Sequence, residues 1–175
     1  GRHVKRVSAY TEILCKAMGL SEEDTWKISV ASMMHDVGKI CVPREILHKP
    51  GKLTDEEFGE IKKHVDFGYE LLKNSPCELM RIASTIAQQH HERFDGKGYQ
   101  KNLSGEQIDI YARCVSVADV FDALVSKRCY KQSWTAQNAR EEILSQAGKQ
   151  FDPSITKLFD EHFDEFLAVM EKYPD

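Results

Sequence analysis

The stretch RCVSVADVFDALVS, residues 113–126, constrains the fold most. Arg113, Ser116, Asp119 and Asp122 recur every three residues, while Val115, Val117, Ala118, Val120, Phe121, Ala123, Leu124 and Val125 fill every other side. A helix that is apolar nearly all round is buried, so other helices must wrap around it. The polar stripe then enters the core as well. A buried carboxylate needs a cation or a metal to offset its lost hydration, which makes Asp119 a candidate metal donor.

The rest of the chain supplies the wrapping. Residues 3–18 and 21 onward show helical periodicity, with Ser21 placed to cap the second helix. DVGKICVPREIL (36–47) reads as irregular. Thr54 and Glu57 form a capping-box pattern ahead of a helix reaching Asn74. Further helices are expected over about 77–89, 106–126 and 135–147, the last of these ending at Gly148. Asp152-Pro153 caps and opens a final one running towards Val169. No alternating strand pattern, repeat or low-complexity linker interrupts this series. The expected fold is all-α, a single domain over 1–175 built as a bundle of about seven helices.

With 175 residues, 41% of them hydrophobic and 30% charged, the chain suffices for one filled core. No apolar run approaches the roughly 18 residues that would span a bilayer. A net charge of −4 without a basic stripe disfavours long nucleic acid. The five cysteines, Cys15, Cys41, Cys77, Cys114 and Cys129, form no CxxC pair, which suits a cytoplasmic protein and argues against a thiolate zinc site. Helical spacing is under way by Val4 with no cap ahead of it, so the chain is expected to be part of a longer protein.

Five histidines and two aspartates stand out. His35 and Asp36 are adjacent where a helix gives way to a glycine-containing turn, and a turning backbone can bring both to one ion. Lys39 offers a cation for a phosphate oxygen. A dipole-stabilised helix end with a solvated lysine explains the same residues. His64 lies on the apolar side of its helix with Ile61, Gly68 and Leu71, where a satisfied core histidine is the commoner outcome. His90 and His91 close another helix and run into a loop marked by Gly96 and Gly98. His3 shares a face with Val7, Tyr10 and Leu14.

Taken in order, HDVGK, the lone His64, HHERFDGKGY and ADVFDALVSKRCYK resemble the HD-GYP domains of the HD phosphohydrolase superfamily. The likeness spans essentially the whole chain, including HKPGKLT (48–54) and AGKQFDP (147–153). It implies an all-α fold, bound metals and hydrolysis of cyclic di-GMP to pGpG, and to GMP after a second cut. His3, His35, Asp36, His64, His90, His91 and Asp119 match the family's ligands, with Asp36 bridging two divalent ions. Iron or manganese is implied, and nickel, zinc and magnesium also suit such donors. Lys39 matches a catalytic phosphate contact, and Arg128, Lys131 and Tyr99 match substrate contacts.

Two departures qualify the match. Gly98-Tyr99-Gln100 replaces Gly-Tyr-Pro, and glutamine frees a φ that proline would fix, loosening the loop through which a diguanylate cyclase domain is expected to dock. The glutamate that supplies a third metal in some members would fall before residue 1, so two metals are expected. Hydrolysis of another cyclic dinucleotide or nucleotide, and a non-catalytic cyclic di-GMP sensor, are the competing readings.

Overall fold

A computed structural model describes residues 2–99, 101–126 and 133–174. Gln100, Arg128 and Lys131 lie outside them, so the expectations for those three have no structural counterpart here. Among the described residues the protein is all-α, with one isolated bridge between Ala147 and Phe151.

In chain order, α1 (Arg2–Ala17) and α2 (Glu22–Ser32) form the first pair, and a 3₁₀ turn (Val37–Cys41) leads to the short α3 (Arg44–Leu47). Next come α4 (Asp55–Lys62), α5 (His64–Leu72) and α6 (Glu78–Gln89). A second 3₁₀ turn (Gly105–Gln107) precedes α7 (Ile110–Val125), and α8 (Ala136–Ser145), α9 (Pro153–Glu161) and α10 (Phe163–Lys172) complete the series. The count exceeds seven for definite reasons. The expected helix to Asn74 breaks at Lys63, the last one breaks at His162, and α3 forms inside the segment read as irregular.

The caps are those written in the chain. Ser21 accepts from the Asp24 N–H, Thr54 and Glu57 complete a reciprocal capping box, and Asp152 accepts from Ser154 with Pro153 at the first helical position. Each satisfies backbone donors that the first turn leaves without partners.

Helix α7 is the buried centre, packed by α1, α6, α8 and α9. On one side lies an aromatic core in which Tyr10 stacks on Phe166 at 4.5 Å and meets Phe121 edge-on at 5.3 Å. Phe159 and Phe163 extend it. On the other side α2, α5, α6 and the first 3₁₀ turn pack closely, and glycine makes this approach possible. A Cβ on Gly38 would stand 1.9 Å from the His64 carbonyl oxygen, and one on Gly68 would stand 2.9 Å from the Ala87 Cβ. These contacts draw the ends of α2 and α6 and the start of α5 towards one point beside α7.

Candidate metal centre

The backbone turns immediately after α2. Asp36 sits at φ −100°, ψ 9°, outside the helical region, and so aims its side chain to the same side as His35. His35 is buried, and its Nδ1 lies 2.7 Å from the Ser32 carbonyl oxygen. That hydrogen bond puts the proton on Nδ1 and leaves Nε2 as a lone-pair donor. The same arrangement recurs twice. His64 Nδ1 lies 2.7 Å from the Ile61 carbonyl, and His90 Nδ1 lies 3.0 Å from that of Ala87 and 3.1 Å from that of Ile86.

The Nε2 atoms converge on Asp36. Its Oδ1 lies 3.3 Å from His64 Nε2 and 3.7 Å from His90 Nε2, while its Oδ2 lies 3.5 Å from His35 Nε2. Asp119, reaching in from α7, places Oδ1 3.6 Å from His35 Nε2 and 3.5 Å from His3 Nε2. His91 follows at the end of α6, its ring centroid 4.0 Å from that of His90 and 5.2 Å from that of His64.

Two groups with metal-ligating geometry result: Asp36, His64, His90 and His91 form one, and His3, His35 and Asp119 form the other. The donor atoms within each group lie within 4.8 Å of one another. The two oxygens of Asp36 face different groups. Buried Nε2 atoms of His35, His64 and His90 and the buried Asp36 Oδ1 have no hydrogen-bond partner of proper geometry. Buried polar atoms are rarely left so, and cations held in the two groups would satisfy all four.

Protonation also suits a cation. Burial pushes the His90 imidazole down, and burial with its neighbour His90 holds His91 at about 2, so both stay neutral. Burial alone would raise Asp36 and Asp119, but the imidazoles of His64 and His90 beside Asp36, and of His35 beside Asp119, hold both below the carboxylate range. For His35 burial pulls down, yet Asp119 and Asp36 outweigh it and the net shift is upward. A metal would compete with that proton.

All seven residues expected to donate thus come together. Lys39 sits beside them with Nζ 2.6 Å from Asp36 Oδ2, and the Tyr99 ring covers His91 with centroids 4.5 Å apart. The glycine-marked loop is pinned by close approach. A Cβ on Gly98 would lie 2.5 Å from the Arg93 nitrogen and 2.7 Å from the His91 carbonyl oxygen, and Gly96 takes φ +78°.

Three supporting residues escaped the sequence reading. Buried Glu92 accepts the N–H groups of Lys101 and Leu103 at 3.1 and 3.0 Å, tying down the loop after the histidine pair. Asp122 and Arg6 brace His3 from behind. Asp122 carried a signal, its phase in the polar stripe. Nothing local marked Glu92 or Arg6.

An all-α bundle with paired His/Asp groups, in which backbone carbonyls hold the imidazoles of His35, His64 and His90, defines a metal-binding helical domain of the HD type. Comparison with known families agrees: the HD domain model matches residues 1–155, and the chain belongs to the HD domain family, which carries divalent-metal binding with it.

Among its relatives, the 3'3'-cGAMP-specific phosphodiesterase 2 of Vibrio cholerae is 47% identical over 175 residues, covering 100% of this chain and 34% of that protein. The cyclic di-GMP phosphodiesterase response regulator RpfG of Xanthomonas campestris is 45% identical over 150 residues, covering 86% of this chain and 40% of that protein. The chain therefore spans well under half the length of these relatives. Its fold is similar to that of a cyclic GMP-AMP specific phosphodiesterase from V. cholerae, with a TM-score of 0.69 and 16% identity over 95% of this chain and 45% of the other. An HDG"Y"P protein from Bdellovibrio bacteriovorus gives a TM-score of 0.68 and 22% identity over 91% of this chain and 51% of the other.

Proposed function

We propose that this domain is a divalent-metal-dependent phosphodiesterase that hydrolyses a cyclic dinucleotide, cyclic di-GMP first among them, to the linear dinucleotide. The observation that carries this reading is the division of the Asp36 carboxylate. Oδ1 faces His64 and His90, whereas Oδ2 faces His35 and Lys39. A carboxylate so divided would help to hold a cation on either side. His3, His35 and Asp119 would hold one, and His64, His90 and His91 the other.

Such cations supply Lewis acidity and a more acidic water, and two carboxylates with imidazoles suit iron or manganese. The protein contributes the rest. Nδ1-to-carbonyl hydrogen bonds keep the imidazoles oriented, and Lys39 offers a cation to the phosphoryl oxygens as charge develops there. Tyr99 walls one side and screens His91 from water. Arg128 and Lys131, outside the described residues, are assigned to the distal phosphate or a base on the family resemblance alone.

Relatives named for cyclic di-GMP and for 3'3'-cGAMP support the substrate class and divide on its member. The 47% identity to a 3'3'-cGAMP-specific enzyme makes the hybrid dinucleotide the second reading. Anaerobically purified protein, with metals counted on the same sample, should cleave one of the two in direct competition. Metallated protein that binds a dinucleotide without cleaving it would make the domain a sensor. A protein that neither binds nor cleaves either dinucleotide would remove the substrate class.

A further inference from the structure

Of the seven clustered donors, His3 alone has its Nδ1 held by a side chain. His3 Nδ1 lies 2.7 Å from Asp122 Oδ2. Asp122 is buried on α7, one turn beyond Asp119, and is itself fixed on all sides. Arg6 Nε donates to Oδ1 at 2.5 Å and Arg6 Nη2 to Oδ2 at 3.2 Å, a two-pronged guanidinium clasp. Arg6 is anchored in turn by the Ser126 hydroxyl at 2.8 Å and the Tyr173 carbonyl at 2.9 Å.

We propose that Asp122, clasped by Arg6, is the positioning residue for His3: it keeps the proton on Nδ1 and turns Nε2 towards Asp119. The inference rests on reading His3 as a metal donor, and it assigns a cause to that role. His3 is more than a third exposed, at 36%, so packing alone does not fix its ring. An ionised carboxylate accepts hydrogen bonds and cannot donate them. Its contact with Nδ1 therefore selects the tautomer whose Nε2 carries a lone pair. Arg6 provides the counter-charge that a fully buried carboxylate requires. Asp122 and His3, 119 positions apart in sequence, thus form a carboxylate–imidazole pair behind one donor group, backed by Arg6, which is 116 positions from Asp122.

Asp122→Asn is the decisive variant, because the amide can turn its NH₂ to His3 Nδ1 and select the opposite tautomer. Two readouts separate positioning from mere structural support. In metal-free protein, ¹⁵N NMR of the His3 ring, identified by its loss in His3→Gln, should show Nδ1–H in the wild type and a shift towards Nε2–H in Asp122→Asn. In Mn²⁺ titrations, one equivalent should weaken about 10- to 100-fold while the other is unchanged. Combining Asp122→Asn with His3→Gln should add little, since both remove the same donor.

A wild-type His3 carrying its proton on Nε2 overturns the proposal, and that test needs no variant to fold. A lower melting temperature for Asp122→Asn with an unchanged tautomer and unchanged Mn²⁺ affinities also overturns it, by showing structural support alone. Arg6→Lys, which keeps the charge and loses the fork, should show the same changes more weakly. If wild-type protein binds no Mn²⁺, the metal reading falls, and the NMR result still decides what Asp122 does to His3.

Discussion

Gly38 lies so close to the backbone of His64 that a Cβ on it would stand 1.9 Å from the His64 carbonyl oxygen and 2.4 Å from the Gly68 nitrogen. This contact joins the turn carrying His35 and Asp36 to the helix carrying His64. The site can form only if the two backbones touch.

Replacing Gly38 with alanine must push those backbones apart. The expected cost is about 3 kcal/mol, at the upper end for overpacking, or roughly 6–12 °C in melting temperature for a domain of this size. Metal affinity should fall with it, because His35 and His64 move apart. Gly59, within α4 and with nothing near its Cβ position, is the control: Gly59→Ala should gain about 0.5–1 kcal/mol. Calorimetry of both variants checks the pair, and a neutral Gly38→Ala would show that the contact does not govern the site.

Metal removal should destabilise the domain, since the buried Nε2 atoms of His35, His64 and His90 lack other partners. Adding back a divalent ion at about 100 times its Kd should restore about 2.7 kcal/mol per site. Denaturant melts with and without chelator measure this. Identical curves would argue against a cation at this cluster.

Lys39 touches Asp36 without belonging to either donor group. Lys39→Met should therefore lower kcat by about 10²- to 10³-fold and leave bound metal unchanged. Metal analysis beside steady-state kinetics separates the two effects. Loss of metal in this variant would make Lys39 structural.

Tyr99 packs its ring on His91, and Phe58 meets Tyr99 edge-on with centroids 6.2 Å apart. Tyr99→Phe should keep that packing and near-normal metal affinity. Tyr99→Leu should weaken the group containing His91 by about 2- to 10-fold, the equivalent of about 0.5–1.5 kcal/mol of aromatic contact. Titration calorimetry on the two variants tests this, and equal losses would transfer the effect to the hydroxyl.

Thiol chemistry offers a check that needs no ligand. Burial pushes the Cys15 thiol up to about 12 and raises Cys114 as well, whereas Cys41 and Cys77 are exposed. In a Cys129→Ser background at pH 8, two thiols should react quickly with an aromatic disulfide and two only on unfolding. Fast labelling of a third would contradict the packing around α1 and α7.

Much of this was legible because it depended on near neighbours in the chain. Ser21, Thr54 with Glu57, and Asp152-Pro153 cap helices through atoms two or three residues away, and all three caps form. The apolar surround of residues 113–126 required burial, and α7 is buried. The break at Lys63 was not legible, since lysine is a good helix former and no proline or glycine marks the site. Gly38 was read as part of a turn, yet its reason is the nearness of a backbone 26 positions away.

By itself, then, the sequence determined which residue types could donate and where the capped helices begin, because periodicity and capping are short-range properties. Only the tertiary structure decided which donors share an ion, which oxygen of Asp36 faces which histidines, and that Asp122 with Arg6 stands behind His3. These depend on distances between helices, and such distances arise when side chains far apart in the chain pack to a common density.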